Sequence, residues 1–273
     1  MNILNEFHFD DLYIRHAIDF FPDDKVFTVH FHDIYEIYYF ISGNAKYLVE
    51  GTEYSLEPGS IMIMRPSESH KVKILESVCY ERYALNFPVS AVEHIDFQHK
   101  LLKPFMDRPL GYGNFYTPSE LENIPLESIF HEMAYCDEND YGKRTEILTN
   151  LFYLLNKINK AYQKRNKEEY NPPQSIPEKI VFYVNEHLTD NISIPVLSEH
   201  FYLSSSQFSR IFKQTTGIAP WKYITIKRLN LAKEKIRSGI GAKNACETCG
   251  FSDYSAFYRA YTKYFGYSPQ DTN

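Results

Sequence analysis

Apolar and polar positions change their period along the chain, and the changes mark out its parts. From about Val26 to Phe87, runs rich in Val, Ile, Tyr and Phe ("VFTVHFHDIYEIYYFISG", "NAKYLVEGTEYSLEPGS", "IMIMRPSESHKVKI", "YERYALNF") are separated by Gly, Pro, Ser and Asn. That spacing predicts the short strands of a small β-sandwich or barrel. Beyond Pro88 the period becomes helical in "AVEHIDFQHKLLKPF", "SELENIPLESIFHEMAY" and "KRTEILTNLFYLLNKINKAY", the last with Ile147, Leu151, Leu154, Leu155 and Ile158 on one face. An apolar stripe of this length needs a partner, so a homodimer through Ile147, Leu151, Leu154 and Ile158 is expected, with half of the face against the barrel. "KRNKEEYNPPQSIPEK" is polar and proline-bearing, and reads as a linker with a helix starting near Pro177.

The last part of the chain repeats itself. "FYLSSSQFSRIFKQTTGIAP" (201–220) aligns without a gap on "GFSDYSAFYRAYTKYFGYSP" (250–269), pairing Phe208 with Phe257, Arg210 with Arg259, Gly217 with Gly266 and Pro220 with Pro269. Ser204 with Gln207 has the capping-box spacing of a helix start, and Asp253 takes the capping position in the second copy. Upstream, "IPVLSEHF" and "KNACETCG" each supply a short helix before a tight turn, so each copy reads as helix-turn-helix. In the first copy Phe208, Ile211 and Phe212 face inward, leaving Ser206, Ser209, Arg210 and Lys213 outside; the second presents Ser255, Tyr258, Arg259 and Thr262, with Tyr254 one turn nearer the N-terminus. Hydroxyls and a guanidinium on a helix face suit the major groove of DNA, where Arg reads guanine and Ser or Thr contact base edges or phosphates. "PWKYITIKRLNLAKEKI" joins the copies as one helix with Pro220 in its first turn and Tyr223, Ile224, Leu229, Ala232 and Ile236 along its apolar side.

Charge agrees with this division. The net charge of −6 argues against an indiscriminate nucleic-acid binder, yet residues 1–174 carry 17 Lys+Arg against 27 Asp+Glu and residues 175–273 carry 12 against 8. The repeated part is the basic part. The acidic N-terminus has no apolar core of a signal peptide and no later window is apolar enough for a membrane span, so a cytoplasmic protein is expected. Four cysteines, Cys79, Cys136, Cys246 and Cys249, are too sparse for a disulfide framework and are expected to be buried thiols. Cys246 and Cys249 form a CxxC without a second ligand pair; in the register of the repeat Cys246 falls on Leu197, a core position, which favours a packed thiol over a redox or zinc site.

Gly217, Pro220, Tyr223, Arg228-Leu229 and Ala232, then Gly250-Phe251, Asp253, Ser255, Phe257, Arg259, Gly266 and Ser268-Pro269, resemble the double helix-turn-helix signature of the AraC/XylS family of bacterial transcription regulators. The resemblance covers about the last hundred residues. It implies two recognition helices in successive major-groove segments of promoter DNA, with DNA-reading positions at Ser206, Ser209 and Arg210 and at Tyr254, Ser255, Tyr258 and Arg259; Lys213 extends the first set. The chain has Tyr261-Thr262 where the family usually has Phe-Lys, and it stops at "SPQDTN" without the usual trailing Tyr-Arg, so a weaker backbone contact by the second unit is expected.

In "HFHDIYE", His30, His32 and Glu36 lie at even spacing, which in an extended strand directs them to one side. Together with Gly43, "EPGSIMIMRPSESH" and its His70, they resemble the cupin motifs, in which three His and one Glu converge on a metal inside a small barrel. Such ligands suit a divalent transition metal, but they can equally hydrogen-bond an organic ligand, and AraC-type regulators keep the pattern without requiring a metal. No cofactor is therefore assigned, and His30, His32, Glu36 and His70 are taken as effector-binding, with a sugar or another small polar molecule stacking on the many aromatic rings.

The expected fold class is multidomain α+β: a cupin-like effector-binding barrel (1–90), a helical dimerisation segment (91–168), a linker (169–176) and an all-α tandem helix-turn-helix domain (177–273). The expected function is a ligand-responsive, sequence-specific activator, without enzymatic activity, that contacts double-stranded DNA, a second copy of itself and RNA polymerase. The alternatives are a metal-dependent cupin enzyme fused to a DNA-binding domain, and an adaptor whose helix-turn-helix units have lost DNA, against which Arg210 and Arg259 speak.

Overall fold

A computed structural model of the protein describes residues 2–9, 12–96, 98, 100–135, 142–165, 173 and 175–272. The chain divides into two compact units, 1–172 and 173–273. The first contains strands β1 (Asn2–Phe9), β2 (Leu12–Asp19), β3 (Tyr35–Ser42), β4 (Ala45–Val49), β5 (Thr52–Ser55), β6 (Ile61–Met64), β7 (His70–Ile74), β8 (Tyr80–Phe87) and β9 (Phe115–Tyr116). They form an antiparallel six-stranded sheet in the order β1-β2-β8-β3-β6-β9 and a three-stranded sheet β5-β4-β7. Helices α1 (Ser90–Glu93), α2 (Lys103–Met106), α3 (Leu126–Tyr135) and α4 (Lys143–Lys164) follow the main strands.

β3 is buried on both faces. Tyr38 and Phe40 join Tyr47, Val49, Met62, Met64, Val72 and Tyr80 in the core between the sheets. Tyr35, Ile37 and Tyr39 point the other way and share a second core with Ile129, Phe130 and Met133 of α3 and the stripe of α4. The period of 2 explains the split: successive residues of one strand supply two different cores.

This second core corrects the expected dimer surface. Ile147, Leu151, Leu154, Leu155 and Ile158 are at most 1% exposed within the single chain, so the stripe is consumed by the protein's own sheet and offers nothing to another copy. The strand pattern needs two further corrections. The β1–β2 hairpin lies before Val26, where no strand was expected, because inward His16 and Asp19 break the apolar alternation of β2. Conversely, Val26–Ile34 is not a regular strand despite its β-branched and aromatic residues; a 3-10 turn at Asp24–Val26 starts it, with Asp24 Oδ1 accepting from Ile74 N at 2.9 Å, and its pairing is a lone bridge between His30 and His70. Tertiary hydrogen bonding here overrides local propensity.

The second unit is helical: α5 (Ile176–Glu186), α6 (Ile194–His200), α7 (Ser205–Thr216), α8 (Pro220–Arg237), α9 (Ala242–Thr248) and α10 (Tyr254–Phe265). The protein is thus a multidomain α+β chain. Ser175 caps α5, with proline in its first turn. The capping box at Ser204 and Gln207 is formed in both directions, Gln207 N donating to Ser204 Oγ at 3.2 Å and Ser204 N to Gln207 Oε1 at 3.0 Å, and the Asp253 carboxylate accepts from Ser255 N and Ala256 N. Both α7 and α10 end on a left-handed glycine, Gly217 and Gly266, each at φ 83°.

The ungapped register of the repeat holds from the caps onward and slips by one residue in the turns. α6 and α9 are 48 positions apart, whereas α7 and α10 are 49 apart. The left-handed residue of the first turn is Tyr202 (φ 54°) and that of the second is Gly250 (φ 82°), so Ser198, not Leu197, is the counterpart of Cys246. Cys246 is still buried, as is Cys249; Cys79, expected to be buried, is exposed, and Cys136 lies outside the described residues. Among the described residues no helix is long and apolar enough to cross a membrane.

Candidate effector site and nucleic-acid interface

His30, His32, Glu36 and His70 do converge, but strand parity is not the cause. Glu36 is the second residue of β3 and His70 the first of β7; His30 and His32 lie in the irregular segment, brought in by the backbone bridge between His30 and His70, N to O at 3.1 and 3.2 Å. The ring of His70 lies 4.2 Å from that of His30 and 4.8 Å from that of His32, centroid to centroid. Glu36 is 5% exposed and central: Oε2 lies 2.9 Å from His32 Nε2 and accepts from Asn86 Nδ2 at 3.0 Å, and Oε1 accepts from Tyr47 OH at 3.2 Å. Burial alone would raise its carboxyl, but the His32 hydrogen bond and the charge of His70 outweigh burial and hold it well below the usual carboxylate range.

His70 is 1% exposed. Burial presses its pKa down, and the Glu36 carboxylate more than reverses this, leaving it raised. Its Nδ1 donates to the Glu68 carbonyl at 2.8 Å, while Nε2, 3.6 Å from Glu36 Oε2, is buried without a hydrogen-bond partner. One ligand atom from each of His30, Glu36 and His70 can be chosen so that all lie within 4.8 Å of one another. An imidazole anchored through Nδ1 with a spare Nε2, beside a carboxylate and a second imidazole, is a donor set that fits a divalent transition metal and equally a polar organic ligand. The cluster opens to solvent at His30, which is exposed, and His32, which is half-buried; inward of it the space between the sheets is filled by Tyr38, Tyr47, Met64 and their neighbours.

In the helical unit Ser206, Arg210 and Lys213 are exposed on α7 and Ser209 is half-buried. Ser255, Tyr258 and Arg259 are exposed on α10, and Tyr254 is half-buried, its ring against Phe257 and its hydroxyl accepting from Gln270 Nε2 at 2.9 Å. Thr262, expected on the same outer stripe, instead has a buried hydroxyl. Tyr254 also borders an open groove of 580 Å³ lined with Lys243, Asn244, Glu247 and Gln270. Sequence reasoning assigned no role to Gln270, nor to Arg228 and Gly250. The last two stood in the quoted signature, but a pattern of letters does not say which backbone carbonyls an arginine meets.

A sensor-like β unit with a polar cluster, joined to a capped tandem helix-turn-helix with basic outward faces, defines a DNA-binding transcription regulator with its own ligand-binding domain. Comparison with known proteins gives the same class. An AraC-like ligand-binding domain matches residues 17–157 and a helix-turn-helix domain matches residues 197–273. The first match alone spans more than half of the chain, and the chain belongs to the AraC family of transcription regulators; it is a transcription factor and not an enzyme. It is 22% identical over 275 residues to the HTH-type transcriptional activator RhaS of Escherichia coli O139:H28 (strain E24377A / ETEC), covering 94% of this chain and 96% of that protein, with the same figures for RhaS of Escherichia coli K12 / DH10B. Among solved structures, ToxT from Vibrio cholerae O395 aligns over 96% of both chains at 13% identity with a TM-score of 0.37.

Proposed function

We propose that the protein is a ligand-responsive transcriptional activator that places α7 and α10 in successive major-groove segments of promoter DNA. The observation that carries this reading is the pair of outward stripes, Ser206, Ser209, Arg210 and Lys213 on α7 and Tyr254, Ser255, Tyr258 and Arg259 on α10, each on a helix capped at its start and closed by a left-handed glycine. Activation rather than repression is supported by the RhaS relatives, which are activators, and it implies contact with RNA polymerase. In this reading roles follow the expected division: effector binding in 1–90, a helical segment in 91–168, a linker in 169–176 and DNA reading in 177–273, in a cytoplasmic homodimer that joins through a surface other than the buried stripe of α4. The effector, a small polar molecule such as a sugar, meets His30, His32, Glu36 and His70 from the solvent side.

Arg210→Ala in the full chain is expected to cost about 1–3 kcal/mol of binding and to relax preference at one base step. Duplexes recovered by selection from a random library, compared between wild type and variant, measure it. A uniform loss over all sequences makes Arg210 a phosphate contact, and no selected duplex for the wild-type chain refutes the DNA reading.

A second reading, a transition metal in the His30–Glu36–His70 cluster, is favoured by the unpartnered Nε2 of His70. Cobalt(II) titrated into the chelator-treated chain is then expected to give a ligand-field absorption band that His70→Ala abolishes. Absence of the band, with the protein folded, leaves the cluster to an organic effector.

A further inference from the structure

The connecting helix α8 belongs to both helix-turn-helix units. Its first half packs into the first: Tyr223 OH donates to Asn185 Oδ1 at 2.9 Å, and its ring lies edge-on to Phe212 at 5.2 Å. Its second half packs into the other, where Leu229 and Ala232 share a core with Cys246, Cys249, Phe257 and Tyr261. Arg228 stands at the crossover, 4% exposed. Its Nε donates to Leu188 O at 2.7 Å and Nη2 to Asp190 O at 2.8 Å, both in the loop between α5 and α6; Nη1 donates to Gly250 O at 2.6 Å, in the turn between α9 and α10. One rigid planar cation is therefore bonded to backbone of both units at once.

The two copies of the repeat differ at this point. Tyr202 and Gly250 occupy the same left-handed place in their turns, yet Tyr202 is 98% exposed and meets no such brace. At Gly250 a Cβ would lie 2.8 Å from Arg228 Cζ and 2.9 Å from Thr189 O. Turn geometry alone tolerates tyrosine in the first copy; the close approach of the guanidinium and the adjoining backbone is what demands glycine in the second.

We propose that Arg228 is a positioning residue that fixes the separation and rotation of α7 and α10, so that the protein accepts its two half-sites at one spacing. The inference rests on the reading of α7 and α10 as the DNA-facing helices. Without the three bonds α8 still joins the two helix-turn-helix units as one helix, but the brace between the α5–α6 loop and the α9–α10 turn is lost, and the apolar packing of each half of α8 is not directional.

The test uses the full chain and the duplex selected above, together with versions carrying one base pair more or fewer between the half-sites, a change that turns one half by roughly a tenth of a helical turn. Wild type is expected to lose at least about tenfold in affinity on either altered duplex, and Arg228→Met to lose less than about threefold while binding the original site more weakly. Arg228→Lys keeps the charge without the planar fork, and Gly250→Ala forces a methyl against the guanidinium; both are expected to relax spacing in the same direction. Spin labels attached through an azide-bearing amino acid at positions 214 and 263, on exposed sites of α7 and α10, read the brace without DNA. A narrow distance distribution in wild type that broadens in Arg228→Lys and Arg228→Met supports the proposal. Folded variants with the wild-type distribution and the wild-type spacing penalty overturn it. If no duplex is selected, the DNA reading fails, and the label distances alone still decide whether Arg228 braces the units.

Discussion

Arg108→Met is expected to destabilise the N-terminal unit by about 3–5 kcal/mol, because it strands a fully buried carboxylate. Arg108 Nη1 and Nη2 donate to Glu68 Oε1 and Oε2, both at 2.7 Å, with side-chain exposures of 4% and 0%. Glu68 also accepts from Gly111 N at 3.0 Å and Asn114 Nδ2 at 3.1 Å, so the pair pins the segment around 104–114 onto the turn before β7. Burial would raise the Glu68 carboxyl, but Arg108 dominates and brings it from 4.5 down to about 2. A folded value below the unfolded one means that the contribution is complete above about pH 5 and is lost as the pH falls through 4.5 toward 2. Denaturant unfolding followed by circular dichroism from pH 7 to pH 3 measures both effects: wild type loses stability over the acid window, and the variant starts lower with a flatter profile. Adding Glu68→Gln to Arg108→Met is expected to recover part of the loss, since no buried charge is then left unpaired. A loss below about 1 kcal/mol for the single variant would contradict the burial of the pair. The consequence reaches the cluster around Glu36, because the Glu68 carbonyl is what holds His70 Nδ1.

Leu154→Ala is expected to cost about 2–5 kcal/mol, the usual range for a large-to-small change in a core that cannot fully collapse, and to leave the oligomeric state unchanged. Leu154 is 0% exposed, and its neighbours come from the outer face of the large sheet and from α3. Trp221, the chain's single tryptophan, lies in the other unit, so far-ultraviolet circular dichroism should show a shifted transition while tryptophan fluorescence shows little change. Sedimentation of the folded variant distinguishes core from interface: a change of mass with unchanged stability would make α4 a contact between copies of the chain.

The readings that succeeded rest on short-range rules. Capping at Ser204 and Asp253, the glycines at the ends of α7 and α10, and proline in the first turn of α8 follow from the hydrogen-bonding and dihedral needs of a helix end, which a few adjacent residues satisfy. The 3.6-residue spacing likewise determined which faces of α4, α7 and α10 are apolar, and Arg210 and Arg259 stand outside for that reason. Periodicity says that a face must be covered; it does not say by what. The spacing of the α4 stripe suits a second copy as well as a sheet; in the structure the outer residues of β3 form the other half of that contact.

Local propensity failed where distant groups supply the hydrogen bonds. The β1–β2 hairpin hides polar His16 and Asp19 among its inward residues because Tyr135 and Glu81 lie within hydrogen-bond reach of the one and Arg82 bonds the other. The segment bearing His30 and His32 forgoes a strand of its own for a single bridge to His70. Sequence by itself therefore determined α4 and the helices of the second unit, their caps, the repeat and the basic outward stripes, all consequences of neighbours within a turn or two, whereas the helical period after Pro88 gives only the four-residue α1 and α2, and α3 begins at Leu126. Tertiary structure alone decided which core α4 serves, how His30, His32 and His70 meet around Glu36, and that Arg228 spans the two helix-turn-helix halves of the second unit, because each depends on the partner that packing delivers.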